Sequence, residues 1–96
     1  MRPDSGGRVE LKLVESDGEG ASYEVTLFDP TGEWTAAAKV RAGGAVEVAA
    51  WSPANPPAWL DALALTLLRG AQRAQKADAA WPRRVTRWRP GPEEQA

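Results

Sequence analysis

Two tryptophans and four arginines stand within nine residues near the end of the chain, in the stretch WPRRVTRWR from Trp81 to Arg89. Guanidinium groups beside indoles have the chemistry of anion recognition. Arg83, Arg84, Arg87 and Arg89 can hold carboxylates or phosphates, and a free ring can stack a base or another flat group. The same residues can instead be architecture, with the rings turned inward and the arginines left in solvent. The elements that position them decide between the two.

Little other chemistry is on offer. The chain has no histidine and no cysteine, which removes the usual general base, the commonest metal ligand, disulfides and thiolate metal sites. No phosphate loop of the GxxxxGK[ST] kind and no GxGxxG fingerprint occurs. The stretch DGEG sets two carboxylates beside two glycines but lacks the spacing and ligand number of a calcium loop, and reads as a turn between strands. Glu10, Glu24 and Glu47 fall on one polar strand face, a flat solvated surface that offers no desolvated site for acid–base work. The expectation is a protein without catalytic residues, cofactor or metal, and not an enzyme.

The net charge of −1 conceals a segregation. Residues 1–61 carry five basic side chains against ten acidic ones, whereas residues 62–92 carry seven basic ones against Asp78 alone. A folded chain would then have a positive pole at its C-terminal end. With 43% hydrophobic and 26% charged residues, the composition is that of a soluble globular protein. The longest apolar run, AWLDALALTLL, is too short to span a membrane. MRPDSGGRVE lacks the apolar stretch of a signal peptide, so a cytoplasmic location is expected.

The positioning elements follow from periodicity. After a lead-in over residues 1–7, Val9, Leu11 and Leu13 alternate with Glu10 and Lys12, and Tyr23, Val25 and Leu27 alternate with Ser22, Glu24 and Thr26. Trp34, Ala36, Ala38 and Val40 form a third such row, and Val46, Val48 and Ala50 a fourth, with Glu47 and Trp51 on the outer side. SDGEG, DPTG and the pair Gly43-Gly44 supply the turns, the last as a two-residue type I′ hairpin. Four strands over residues 8–51 therefore form an antiparallel meander with one apolar face.

A helix over residues 56–77 is expected to cover that face. Asn55 is the candidate N-cap, and Leu60, Leu63, Ala64, Leu67, Ala71 and Ala74 form the stripe turned to the sheet. Leu65 and Leu68 fall off that stripe. They are candidates for cover by the C-terminal segment or for a helix-to-helix dimer. Residues 78–90 have two readings. As a strand they set Trp81 and Val85 on one side and Trp88 on the other, a poor amphipathic pattern. The spacing of Trp81, Val85 and Trp88 (i, i+4, i+7) favours instead a helical turn that packs as a seam, with Arg83, Arg84 and Arg87 outside. Residues 91–96 are expected to be a disordered tail.

The whole reads as one small α+β domain, a four-stranded meander packed on one long helix with an ordered C-terminal extension. Its element order is similar to that of small modules of four strands and a helix that bind single-stranded DNA, though no binding motif matches residue by residue. The functional expectation is a non-enzymatic interaction or structural module. Its partner would be a second copy of the chain or another protein, through a surface drawn from Arg83, Arg84, Arg87, Arg89, Trp51, Leu65 and Leu68. Single-stranded nucleic acid held by the Arg/Trp segment is the alternative.

Overall fold

The computed structural model describes residues 4–76 and 80–91. Four strands follow one another, β1 (Gly7–Ser16), β2 (Gly20–Asp29), β3 (Gly32–Arg41) and β4 (Val46–Val48); then come helix α1 (Ala58–Lys76) and a fifth strand, β5 (Arg84–Arg89). All pairings are antiparallel, in the order β4-β3-β2-β1-β5. The α+β expectation of an antiparallel meander on one long helix holds, and the ordered C-terminal extension is a strand added to the open side of β1.

Alternation builds the core. Val9, Leu27 and Trp34 lie in one cross-strand row, Leu11, Val25 and Ala36 in the next, then Leu13, Tyr23, Ala38 and Val48. These rows meet Leu60, Ala64, Leu68 and Ala71 of α1, which lie at i, i+4, i+8 and i+11 on one helix face. Leu63, Leu67 and Ala74, placed in the stripe by sequence, are only half-buried. The helix has turned toward the other side, and Gln72 lies on the face that meets the sheet. Its Nε2 donates to the carbonyls of Arg41 (2.5 Å) and Gly44 (2.8 Å) on the β3–β4 connection. Leu68, one turn before Gln72 on the same face, lies wholly in the core.

Helix α1 starts two residues later than its sequence suggests. The Pro57 carbonyl accepts from Leu60 N (3.1 Å) and Asp61 N (3.2 Å), so Pro57 and not Asn55 occupies the cap. Asn55 and Pro56 each precede a proline, which pushes both away from helical backbone. The lead-in is also shorter than residues 1–7. Gly7 begins β1 and is buried, because the first turn of α1 lies on it: a Cβ there would overlap Leu60 Cδ2 and Trp59 Cη2. Gly7→Ala should therefore cost about 1–3 kcal/mol by overpacking, measurable by chemical denaturation. Gly18→Ala, with nothing within 4 Å of its added carbon, serves as the neutral control.

Two irregularities redirect side chains. Between Leu13 and Glu15 the register with β2 shifts by one residue, and Val14 is left 66% exposed. After β4 the chain gains a residue against β3: Ala49 N bonds Ala37 O, but the next bridge pairs Ser52 with Thr35. A bulge of one residue reverses the alternation. Trp51, expected on the outer side, consequently packs against the core. The β3–β4 turn also differs from the Gly-Gly type I′ expectation. Gly44 N closes on Arg41 O (3.1 Å), so Ala42 and Gly43 are the central residues and only Gly43 needs its φ of 71°.

Candidate binding site on the free strand edge

Pairing with β1 settles how the Arg/Trp segment is used. Leu11 faces Val85, Val9 faces Arg87, Arg8 faces Trp88 and Lys12 faces Arg84. Period-2 alternation then sets Val85, Arg87 and Arg89 on the helix side of the sheet, with Arg84, Thr86 and Trp88 on the open side. The helical turn expected for Trp81, Val85 and Trp88 is thus corrected to a strand. The unpaired edge of β1 supplies a ladder of hydrogen bonds that a single isolated turn cannot match.

The two tryptophans part company. Trp81, just before the strand, is 7% exposed and belongs to the core. Its neighbour Pro82 is held by a 2.7 Å hydrogen bond in which Tyr23 Oη donates to the Pro82 carbonyl. Trp88 is 47% exposed on the open face. Its indole Nε1 donates to the Ser5 carbonyl at 2.9 Å, and its ring lies over Gly6, whose φ is 69°. The end of the lead-in thus fixes the orientation of a ring whose other surface is left in solvent.

Strand β5 lies at the edge of the sheet. Leu13 N donates to Arg83 O at 2.8 Å, which fixes the phase of the ladder. Odd-numbered residues of β5 point their backbone groups toward β1, and Arg84, Thr86 and Trp88 point theirs outward. Two of those outward carbonyls are occupied by the chain itself: Arg87 Nη1 donates to Thr86 O at 2.8 Å, and Arg89 Nη1 donates to Trp88 O at 3.1 Å. Guanidinium groups folded onto the rim are a device that guards an edge strand against indiscriminate pairing.

Charge concentrates at this edge. The ion pair Arg8 Nη2–Glu10 Oε2, at 3.0 Å, is the only one among the described residues. Arg83, Arg84, Arg87 and Arg89 are all exposed and have no carboxylate within ion-pair distance among those residues. Lys12 stands opposite Arg84, and Arg8 stands opposite Trp88 with its Nε buried and without a hydrogen-bond partner. At the head of β5, where β1 runs on past its partner, Lys12, Arg83, Arg84, the exposed Val14 and one carboxylate, Glu15, line an open groove of about 460 Å³. Arg8 and Lys12 were not among the sequence candidates. Their outward position on β1 was legible, but their place beside the arginines appears only once β5 pairs with β1.

Other candidates fall elsewhere. Leu68 is wholly buried, Leu65 is half-buried on α1, and Trp51 lies beyond β4 at the far side of the sheet. The carboxylates of the open face do not pair with one another. Glu24 stands opposite Lys12, Glu47 opposite Lys39, and Glu10 binds Arg8. In the DGEG turn, Asp17 Oδ1 accepts from Glu19 N (2.7 Å) and Gly20 N (3.0 Å), so that carboxylate shapes the turn. Among the described residues no group of three acidic side chains could hold a metal ion, and no helix is long and apolar enough to cross a membrane. No protein-family model, no curated protein and no solved structure matches this chain.

Proposed function

We propose that the protein is a small non-enzymatic interaction module that binds an acidic segment of another protein along β5. The observation that carries this reading is the edge itself: four arginines with no acidic partner among the described residues lie along a strand at the rim of the sheet. Charge complementarity of this kind speeds encounter and selects the partner. A second copy of the chain is the weaker choice for this surface, since pairing β5 with itself would set its arginines against the same arginines.

Single-stranded nucleic acid is the second reading, favoured by one observation. The exposed ring of Trp88 shares the open face with Arg8 and Arg84, the makings of a stacking platform. The charge pattern opposes it. Beyond β1 the same face carries Glu24, Glu33 and Glu47 against Lys39 and Arg41, so the basic surplus ends at the rim and offers no track for a polyanion across the sheet.

Reversing Arg84 and Arg87 together to glutamate should weaken the binding of a fluorescent glutamate-rich peptide by about tenfold or more at low salt. Both side chains are exposed, so the melting temperature should move little. Anisotropy titrations check this, and unchanged affinity in the double variant would remove the edge from consideration.

A further inference from the structure

We infer that the acidic partner adds to the sheet as a sixth strand, and that Arg87 and Arg89 act as a latch that its carboxylates release. The inference rests on the reading of β5 as a protein-binding edge and specifies how the edge is used. Arg84, Thr86 and Trp88 each direct one N–H and one C=O outward, the spacing that an extended chain needs for main-chain pairing. At rest the Thr86 and Trp88 carbonyls are occupied by Arg87 Nη1 and Arg89 Nη1. A neutral strand would have to displace both guanidinium groups and would leave them nothing in return. A strand carrying carboxylates offers them charge-assisted bonds, stronger than those they give up. The freed carbonyls then accept the partner's N–H groups. Opening the edge is thus coupled to the charge of whatever approaches it.

The geometry also specifies the partner's pattern. Val85, Arg87 and Arg89 share the helix side of the sheet, whereas Arg84, Thr86 and the exposed ring of Trp88 share the open side. A strand lying alongside would place acidic residues at every second position, next to Arg87 and Arg89. Apolar or aromatic residues would alternate with them beside Trp88, since neighbouring side chains on one face interact directly. At the head of β5 the groove sets three cations, Lys12, Arg83 and Arg84, against the single carboxylate of Glu15, and that surplus would take one further carboxylate. Among the described residues the neighbouring elements leave room: α1 packs on β1, β2, β3 and β4, and β5 forms the rim beyond.

The test uses the full chain and two short peptides with blocked ends that alternate glutamate and valine. One carries ordinary amides; the other is N-methylated at each valine, the residues whose N–H groups would face β5, with its charges unchanged. A single-stranded oligonucleotide is the third probe. Affinity is read by anisotropy, and hydrogen exchange is followed at the Arg84, Thr86 and Trp88 amides. The expected result is that the ordinary peptide binds and slows exchange at those three amides. N-methylation should cost about tenfold or more in affinity, because the main-chain bonds are lost while the charges remain. Equal binding of both peptides with no slowing of exchange would overturn strand addition and leave the acidic-partner reading standing. Failure of both peptides, whether or not the oligonucleotide binds, would overturn the inference together with that reading.

Discussion

Leu68→Ala should lower the unfolding free energy by about 2–5 kcal/mol, the range for emptying a fully buried leucine site. Leu68 has no exposed surface and lies between Ala64 and Ala71 in the helix stripe that meets the sheet. Its alanine neighbours are too small to fill the space left behind, which places the expected loss above the lower end of that range. For a domain of this size each kcal/mol moves the melting temperature by roughly 4–8 °C, so the variant should melt well below the parent. Leu65→Ala makes the contrast. Leu65 is half-buried on α1, and its truncation should cost about 1 kcal/mol or less. Had Leu65 and Leu68 formed a helix-to-helix contact, the two substitutions would instead shift association together. Thermal melts with parallel mass measurements separate the cases.

The second large effect is alkaline. Tyr23 is the single tyrosine of the chain and is 1% exposed, and burial pushes its phenol up from 10.0 to about 12. Between these values the unfolded chain gives up the proton while the folded chain keeps it, so rising pH favours unfolding. The contribution is fully present below pH 10 and is lost as the pH rises toward 12, amounting to roughly 2–3 kcal/mol. Tyr23→Phe should remove this extra alkaline loss. At neutral pH it should itself cost about 1–2 kcal/mol, because the Pro82 carbonyl loses its donor. Denaturation curves at neutral and alkaline pH measure both effects, and parallel pH profiles for the two proteins would contradict the assignment.

The strands were legible because a residue turned to the wrong face of a half-buried sheet is costly, so alternation leaves a strong mark in the sequence. Val9, Leu11, Tyr23, Val25, Leu27, Ala36, Ala38 and Val40 are all buried, where that mark puts them. The misreadings share one physical origin. Trp51 changed sides at a bulge, and a bulge depends on how two strands pair rather than on the composition of either. Leu68 faces inward on the side of α1 whose Gln72 reaches the β3–β4 turn, a contact between distant elements that the helix's own sequence does not carry. Trp81, Val85 and Trp88 fit a helical period of their own, and only the vacant edge of β1 makes them a strand.

The candidate site was partly legible for the same reason. Arg83, Arg84, Arg87 and Arg89 stand out in the sequence, and the structure gathers them at one rim. Arg8 and Lys12 join them through strand pairing between residues more than seventy positions apart, which no local pattern reports. The interleaving of Trp and Arg suggested a single use for both tryptophans. In the structure Trp81 is core, and only Trp88 faces outward.

Amide chemical-shift mapping of the whole chain during titration with the alternating glutamate–valine peptide tests the central claim most directly. The predicted result is a set of shifts confined to Arg84–Arg89, the adjoining Arg8 and Lys12, and the Trp88 indole N–H, with α1 and β4 unmoved. Shifts centred on α1 or β4, or a spectrum that answers only to a single-stranded oligonucleotide, would contradict it.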